Sequence, residues 1–177
     1  LYLKNSLNST ICSRMKVDGH ETDAANFYRF TTTGEHTVKF AFPDKTSIQT
    51  YAFYKNDNIV SLTIPEGVTI INPNSIANCK NLASVSLPQS LKAGGYYALS
   101  YNTSLKSIIL PDNLETIGYS FLYGCSGLES ITLPKNIKTI PSSMLCDCSS
   151  LKQIKIPESV IKIESDAFRY SGLVSLT

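Results

Sequence analysis

Leu128-Glu129-Ser130-Ile131-Thr132-Leu133-Pro134 is one of five copies of a single phrase. The others run Ile59 to Pro65, Leu82 to Pro88, Leu105 to Pro111 and Leu151 to Pro157. Each reads aliphatic-x-x-aliphatic-x-aliphatic-Pro, and the prolines fall 23 residues apart. A fixed period of this size marks a stacked array of units. The alternation at the end of the phrase, as in Ile131-Thr132-Leu133, predicts a short strand with one buried face and one wet face. Proline fixes φ and has no N–H, so it ends the strand and turns the chain out of the sheet at the same point in every unit.

Working outward from the phrase, the columns continue. Three residues past each proline stand Val68, Leu91, Leu114, Ile137 and Val160, and three further stand Ile71, Gly94, Ile117, Ile140 and Ile163. The pairs Ser75-Ile76, Ala98-Leu99, Phe121-Leu122, Met144-Leu145 and Ala167-Phe168 complete the inward set. No 23-residue unit buries such a set alone; stacked units bury it against one another, with strands about 4.8 Å apart. A looser copy runs through Phe40-Ala41-Phe42-Pro43, Ile48 and Ala52-Phe53, and a last strand at Leu173 to Thr177 comes one residue early. The expected fold is a repeat solenoid over 37–177, with about six repeats, the last incomplete, and one parallel sheet of short strands.

Residues 1–36 lack the repeat. Lys16-Val17, Phe27 to Phe30 and His36 to Phe40 read as strands, with turns at Asp18-Gly19 and Thr33-Gly34, and predict a small N-terminal β cap. Such a cap would cover the apolar end and open strand edge of the first coil. At the other end the sequence stops inside a repeat at Leu176-Thr177, which predicts further coils and an end open to end-to-end self-association.

Composition narrows the function. Hydrophobic residues are 42% and charged residues only 17%, so the chain has a core and a weakly charged surface. A net charge of +2, with both signs interspersed, gives no sustained field for nucleic acid. No apolar run approaches the roughly 20 residues of a membrane helix, so no membrane insertion is expected. Leu1 to Thr10 lacks a basic stretch followed by an apolar one, so an export signal or anchor would lie outside this chain.

The phrase L-x-x-I-x-L-P, followed by I/V-x-x-I, an Ala-Phe-like pair and a cysteine such as Cys125 or Cys148 ahead of S-x-L, resembles the BspA-like class of leucine-rich repeats. The resemblance covers about three quarters of the chain. It implies a right-handed leucine-rich-repeat coil, mostly β and irregular, in a secreted or cell-surface protein, largely of bacteria, that binds and does not catalyse. The chain departs from the pattern at Ala93-Gly94-Gly95, which stands where x-x-I-G is usual, and a distorted coil is expected there. The cysteine column is also broken, by Asn102 and Ser171.

Candidate chemistry is sparse. His20 and His36 have no cysteine or carboxylate at a metal-ligand spacing, and no metal or cofactor is expected. Cys79, Cys125 and Cys148 occupy one column, where a small weak donor packs like an apolar residue. Cys125 and Cys148, in adjacent coils, keep a bridge open as a lesser reading, while five cysteines leave at least one unpaired within the chain. Asn8-Ser9-Thr10 and Asn102-Thr103-Ser104 fit the glycosylation pattern, which Ser/Thr-rich chains also match by chance. There is no G-x-S-x-G and no phosphate-binding loop, and no enzyme is expected.

Binding is expected on the solvent side of the strands. Ser61, Thr63, Ser84, Ser86, Lys106, Ser107, Ile109, Glu129, Ser130, Thr132, Lys152, Gln153 and Lys155 would form one ridge whose side chains vary while the inward ones do not. The partner implied is a host or matrix protein. Tyr96, Tyr97, Tyr101, Tyr119, Tyr123 and Tyr170 make a second candidate on the loop side, suited to a protein or a glycan, with filling between coils as the plainer alternative. A glycan-binding accessory module and a structural spacer are the two competing readings.

Overall fold

The structure is a computed structural model that describes residues 2–4, 14–22, 27–29, 38–41 and 46–176. The expected turn at Thr33-Gly34, together with His36, Cys12, Asn8 to Thr10, Phe42-Pro43 and Thr177, lies outside these residues.

Five strands precede the repeats: β1 (Tyr2–Lys4), β2 (Arg14–Val17), β3 (His20–Thr22), β4 (Phe27–Arg29) and β5 (Val38–Ala41). All their pairings are antiparallel, β1 with β4 and β2 with both β3 and β5. The turn between β2 and β3 is Asp18-Gly19, with φ of 49° and 88°. Positive φ at both central residues matches the right-handed twist of a two-residue hairpin, and Asp-Gly tolerates it. The segment that would head the first coil, Val38–Ala41, therefore pairs back onto Arg14–Val17.

From Ser47 onward the chain is a solenoid of parallel strands with about five turns. Its strands alternate along the sequence: β6 (Ser47–Ile48), β7 (Ser61–Thr63), β8 (Ile70–Ile71), β9 (Ser84–Ser86), β10 (Ala93–Gly94) and β11 (Ser107–Ile109). They continue as β12 (Thr116–Ile117), β13 (Ser130–Thr132), β14 (Thr139–Ile140), β15 (Gln153–Ile154), β16 (Lys162–Ile163) and β17 (Ser175–Leu176). The strands β7, β9, β11, β13 and β15 are the phrase ahead of each proline, and β17 lies in its sixth copy. Their register repeats the sequence period, with Ser61 opposite Ser84 and Ser107 opposite Ser130. Gln153 lies opposite Ser175, which accommodates the shorter last repeat. The even-numbered strands form a second ladder, running from β6 through β12 and from β14 to β16. They are only two residues long and follow the turn after each proline.

Between the second ladder and the next phrase, every coil bends through two residues in the left-handed region. One column is Tyr51, Asn74, Tyr97, Ser120, Ser143 and Asp166, with φ from 54° to 61°. The other is Lys55, Asn78, Tyr101, Gly124, Asp147 and Tyr170, with φ from 54° to 71°. These bends turn main-chain groups toward the neighbouring coil, so that the amides of Tyr97, Leu99 and Tyr101 donate to the carbonyls of Tyr119, Phe121 and Tyr123. Backbone pairing thus continues around the loop, where the chain has no regular strand.

The inward columns form one continuous core from Ile48 to Ala167. Gly94 does not distort its coil: Ala93 and Gly94 pair in register with Ile70 and Ile71 on one side and with Thr116 and Ile117 on the other. The reason is in the next coil. A Cβ on Gly94 would lie 2.4 Å from the ring of Phe121, so the phenylalanine fills the space that isoleucine takes elsewhere. The ends of that column differ. Ile48 is 2% exposed and Ile163 is 48% exposed, so the first coil is shielded on its outer side and the last described coil is not.

Candidate functional site

The ridge side chains are where the phrase places them. Ser61, Thr63, Ser84, Ser86, Ser107, Ser130, Thr132, Gln153 and Lys155 are exposed, and Ile109 is 68% exposed beside buried Ile108. Pleating explains this, since neighbours along a strand point to opposite faces. The serines at 61, 84, 107 and 130 form one file and Thr63, Ser86, Ile109 and Thr132 the next. The residue ahead of each strand adds a charged file, Lys106, Glu129 and Lys152, all exposed. Lys106 Nζ reaches Glu129 Oε1 at 2.8 Å in the next coil, and Lys152 Nζ donates to the Ser149 carbonyl at 3.2 Å. The first pair is well exposed and contributes little to stability, but it sets the charge pattern of the face.

On the loop side, five of the six tyrosines meet. Tyr96 stacks on Tyr119 with centroids 5.2 Å apart and rings 4° from parallel. Tyr97 meets Tyr119 edge-on at 5.5 Å and Tyr123 at 6.2 Å, and Tyr101 meets Tyr123 at 5.2 Å. The neighbouring Asp147 carboxylate, with burial adding to it, raises the pKa of the Tyr123 hydroxyl above the usual range. Tyr170 does not join them; it shares a column with Tyr101, but Gly124 and Asp147 stand between. Its ring instead carries the Arg169 guanidinium 4.6 Å from its centroid.

The cysteine column is an inter-coil hydrogen-bond ladder. Cys79 Sγ donates to the Phe53 carbonyl, Cys125 Sγ to Leu99 and Cys148 Sγ to Leu122, each 26 residues back. Asn102, fully buried in the same column, donates from Nδ2 to the Ile76 carbonyl, also 26 residues back. The asparagine thus replaces a cysteine without breaking the ladder. Its buried, hydrogen-bonded amide also argues against reading Asn102-Thr103-Ser104 as a glycan acceptor in the folded chain.

Residues 46–174 match the BspA type leucine-rich repeat region in six copies. The chain belongs to this family. Solved bacterial leucine-rich repeat proteins share its fold. A leucine-rich repeat protein from Bacteroides ovatus aligns with a TM-score of 0.68 and 26% identity, covering 75% of this chain and 34% of that one. The pneumococcal vaccine antigen PcpA aligns with a TM-score of 0.58 and 27% identity, covering 73% and 38%. The T. pallidum leucine-rich repeat protein TpLRR, at 24% identity and a TM-score of 0.61, covers 68% of this chain and 63% of its own. The chain therefore spans less than two thirds of each of these three. No curated protein matches it in sequence.

BspA-type arrays are typically non-catalytic. Cys79, Cys125, Cys146 and Cys148 are buried free thiols. Burial pushes Cys79 up to about 11 and Cys125 up to about 12, so neither supplies a thiolate near neutral pH. Among the described residues no three His, Cys, Asp or Glu side chains group to hold a metal, and no helix is long and apolar enough to cross a membrane. His20 is exposed on the β2–β3 hairpin.

Proposed function

We propose that this chain is a non-catalytic recognition segment of a secreted or cell-surface protein and that it binds a host or matrix protein through the strand ridge. One observation carries the reading. Side chains in register across at least five coils present an exposed, weakly charged face, in which files of Ser and Thr are broken by Ile109 and flanked by Lys106, Glu129 and Lys152, over the aliphatic strand residues Leu62, Val85, Ile108, Ile131 and Ile154. Ser84, Ser86, Lys106, Ser107, Ile109, Glu129, Ser130, Thr132, Lys152, Gln153 and Lys155 are its contact residues. Ile109 is a central apolar anchor, and the Lys106–Glu129–Lys152 file gives electrostatic register. Leucine-rich-repeat proteins commonly bind proteins, and the surface placement follows from kinship with the BspA type. Residues 1–36 serve as the β cap and 37–177 as the solenoid; the burial of Ile48 fits a covered first coil, while the pairing of β5 with β2 carries the cap sheet past residue 36.

The test is binding of the chain to immobilised matrix and host-cell surface proteins, with the triple variant K106A/E129A/K152A beside it. Saturable binding to one protein that falls at least tenfold in the variant supports the reading. Binding that the variant leaves unchanged moves the contact off the ridge, and an absence of binding across the panel leaves the spacer reading.

A further inference from the structure

We draw no further inference here: the strongest candidate, the apolar edge of the last described coil at Ile161, Ile163 and Val174, all exposed, is an unpartnered sheet face, and nothing in the structure shows what covers it.

Discussion

The main-chain N–H of Cys79 donates to Oδ1 of Asn102 at 2.9 Å, although the two residues occupy the same column one coil apart. The amide nitrogen of that side chain donates in turn to the carbonyls of Ile76 and Leu99, both at 2.9 Å. Asn102 therefore joins two coils by its acceptor and its donors, where each cysteine in the column has a single donor.

Replacing Asn102 with alanine strands one N–H and weakens the satisfaction of two carbonyls in a dry interior. The expected loss is about 3 kcal/mol, since each buried unpaired group costs roughly 1–3 kcal/mol. Asn102→Cys restores the donor to Ile76 but not the acceptor for Cys79, so its loss should be about 1 kcal/mol. Urea unfolding of the three proteins checks the order; equal losses would mean that the column tolerates any small residue.

The pairing of Gly94 with Phe121 predicts strong coupling. Gly94→Ile drives a side chain into the Phe121 ring, and Phe121→Ala empties a fully buried site at a cost of about 3–5 kcal/mol. The double variant G94I/F121A should be more stable than the sum of the single losses allows, by about 1–3 kcal/mol in a double-mutant cycle. Additive losses would show that the two residues do not share the space.

The buried thiols set a limit at high pH. Desolvation raises Cys79 and Cys125 above their ordinary value near 9, so the folded chain holds the protonated thiol more tightly than the unfolded chain does. That contribution is complete below about pH 9 and is lost as pH rises toward about 11 and 12. The unfolding midpoint should fall across this window, and less steeply in C79A/C125A. In the native chain near neutral pH a thiol reagent should leave Cys79, Cys125, Cys146 and Cys148 unmodified; rapid labelling of any of the four would contradict their burial.

What could be read from the sequence was whatever one residue type marked at a fixed spacing. The prolines and the aliphatic pairs gave the ladder ahead of Pro65, Pro88 and Pro111 and the exposure of Ser84, Ser107 and Ser130. The second ladder was hidden because only its inward residue repeats, while Ile70, Ala93, Thr116, Thr139 and Lys162 share no chemistry. The left-handed columns were hidden by mixed occupancy, tyrosine beside asparagine and aspartate. Gly94 looked like a defect because its compensation, Phe121, lies 27 residues away in sequence and in contact in space. Asn102 looked like a gap in the cysteine column because sequence shows residue type, whereas the fold needs a donor aimed at a carbonyl. The tyrosines were visible as columns, but the meeting of Tyr97 with Tyr123 across coils was not.

The register has a genetic consequence. Each contact that holds a coil links a position to its counterpart about one period away, so removing or copying one 23-residue block returns every column to an equivalent neighbour. Slips of other lengths are tolerated only in a turn outside the columns, as between Ser171 and Leu173, where the chain is one residue short and β17 still pairs with β15. Recombination within such a gene therefore changes the length of the protein in whole coils, and the exposed strand face can lengthen or shorten without a new fold having to be found.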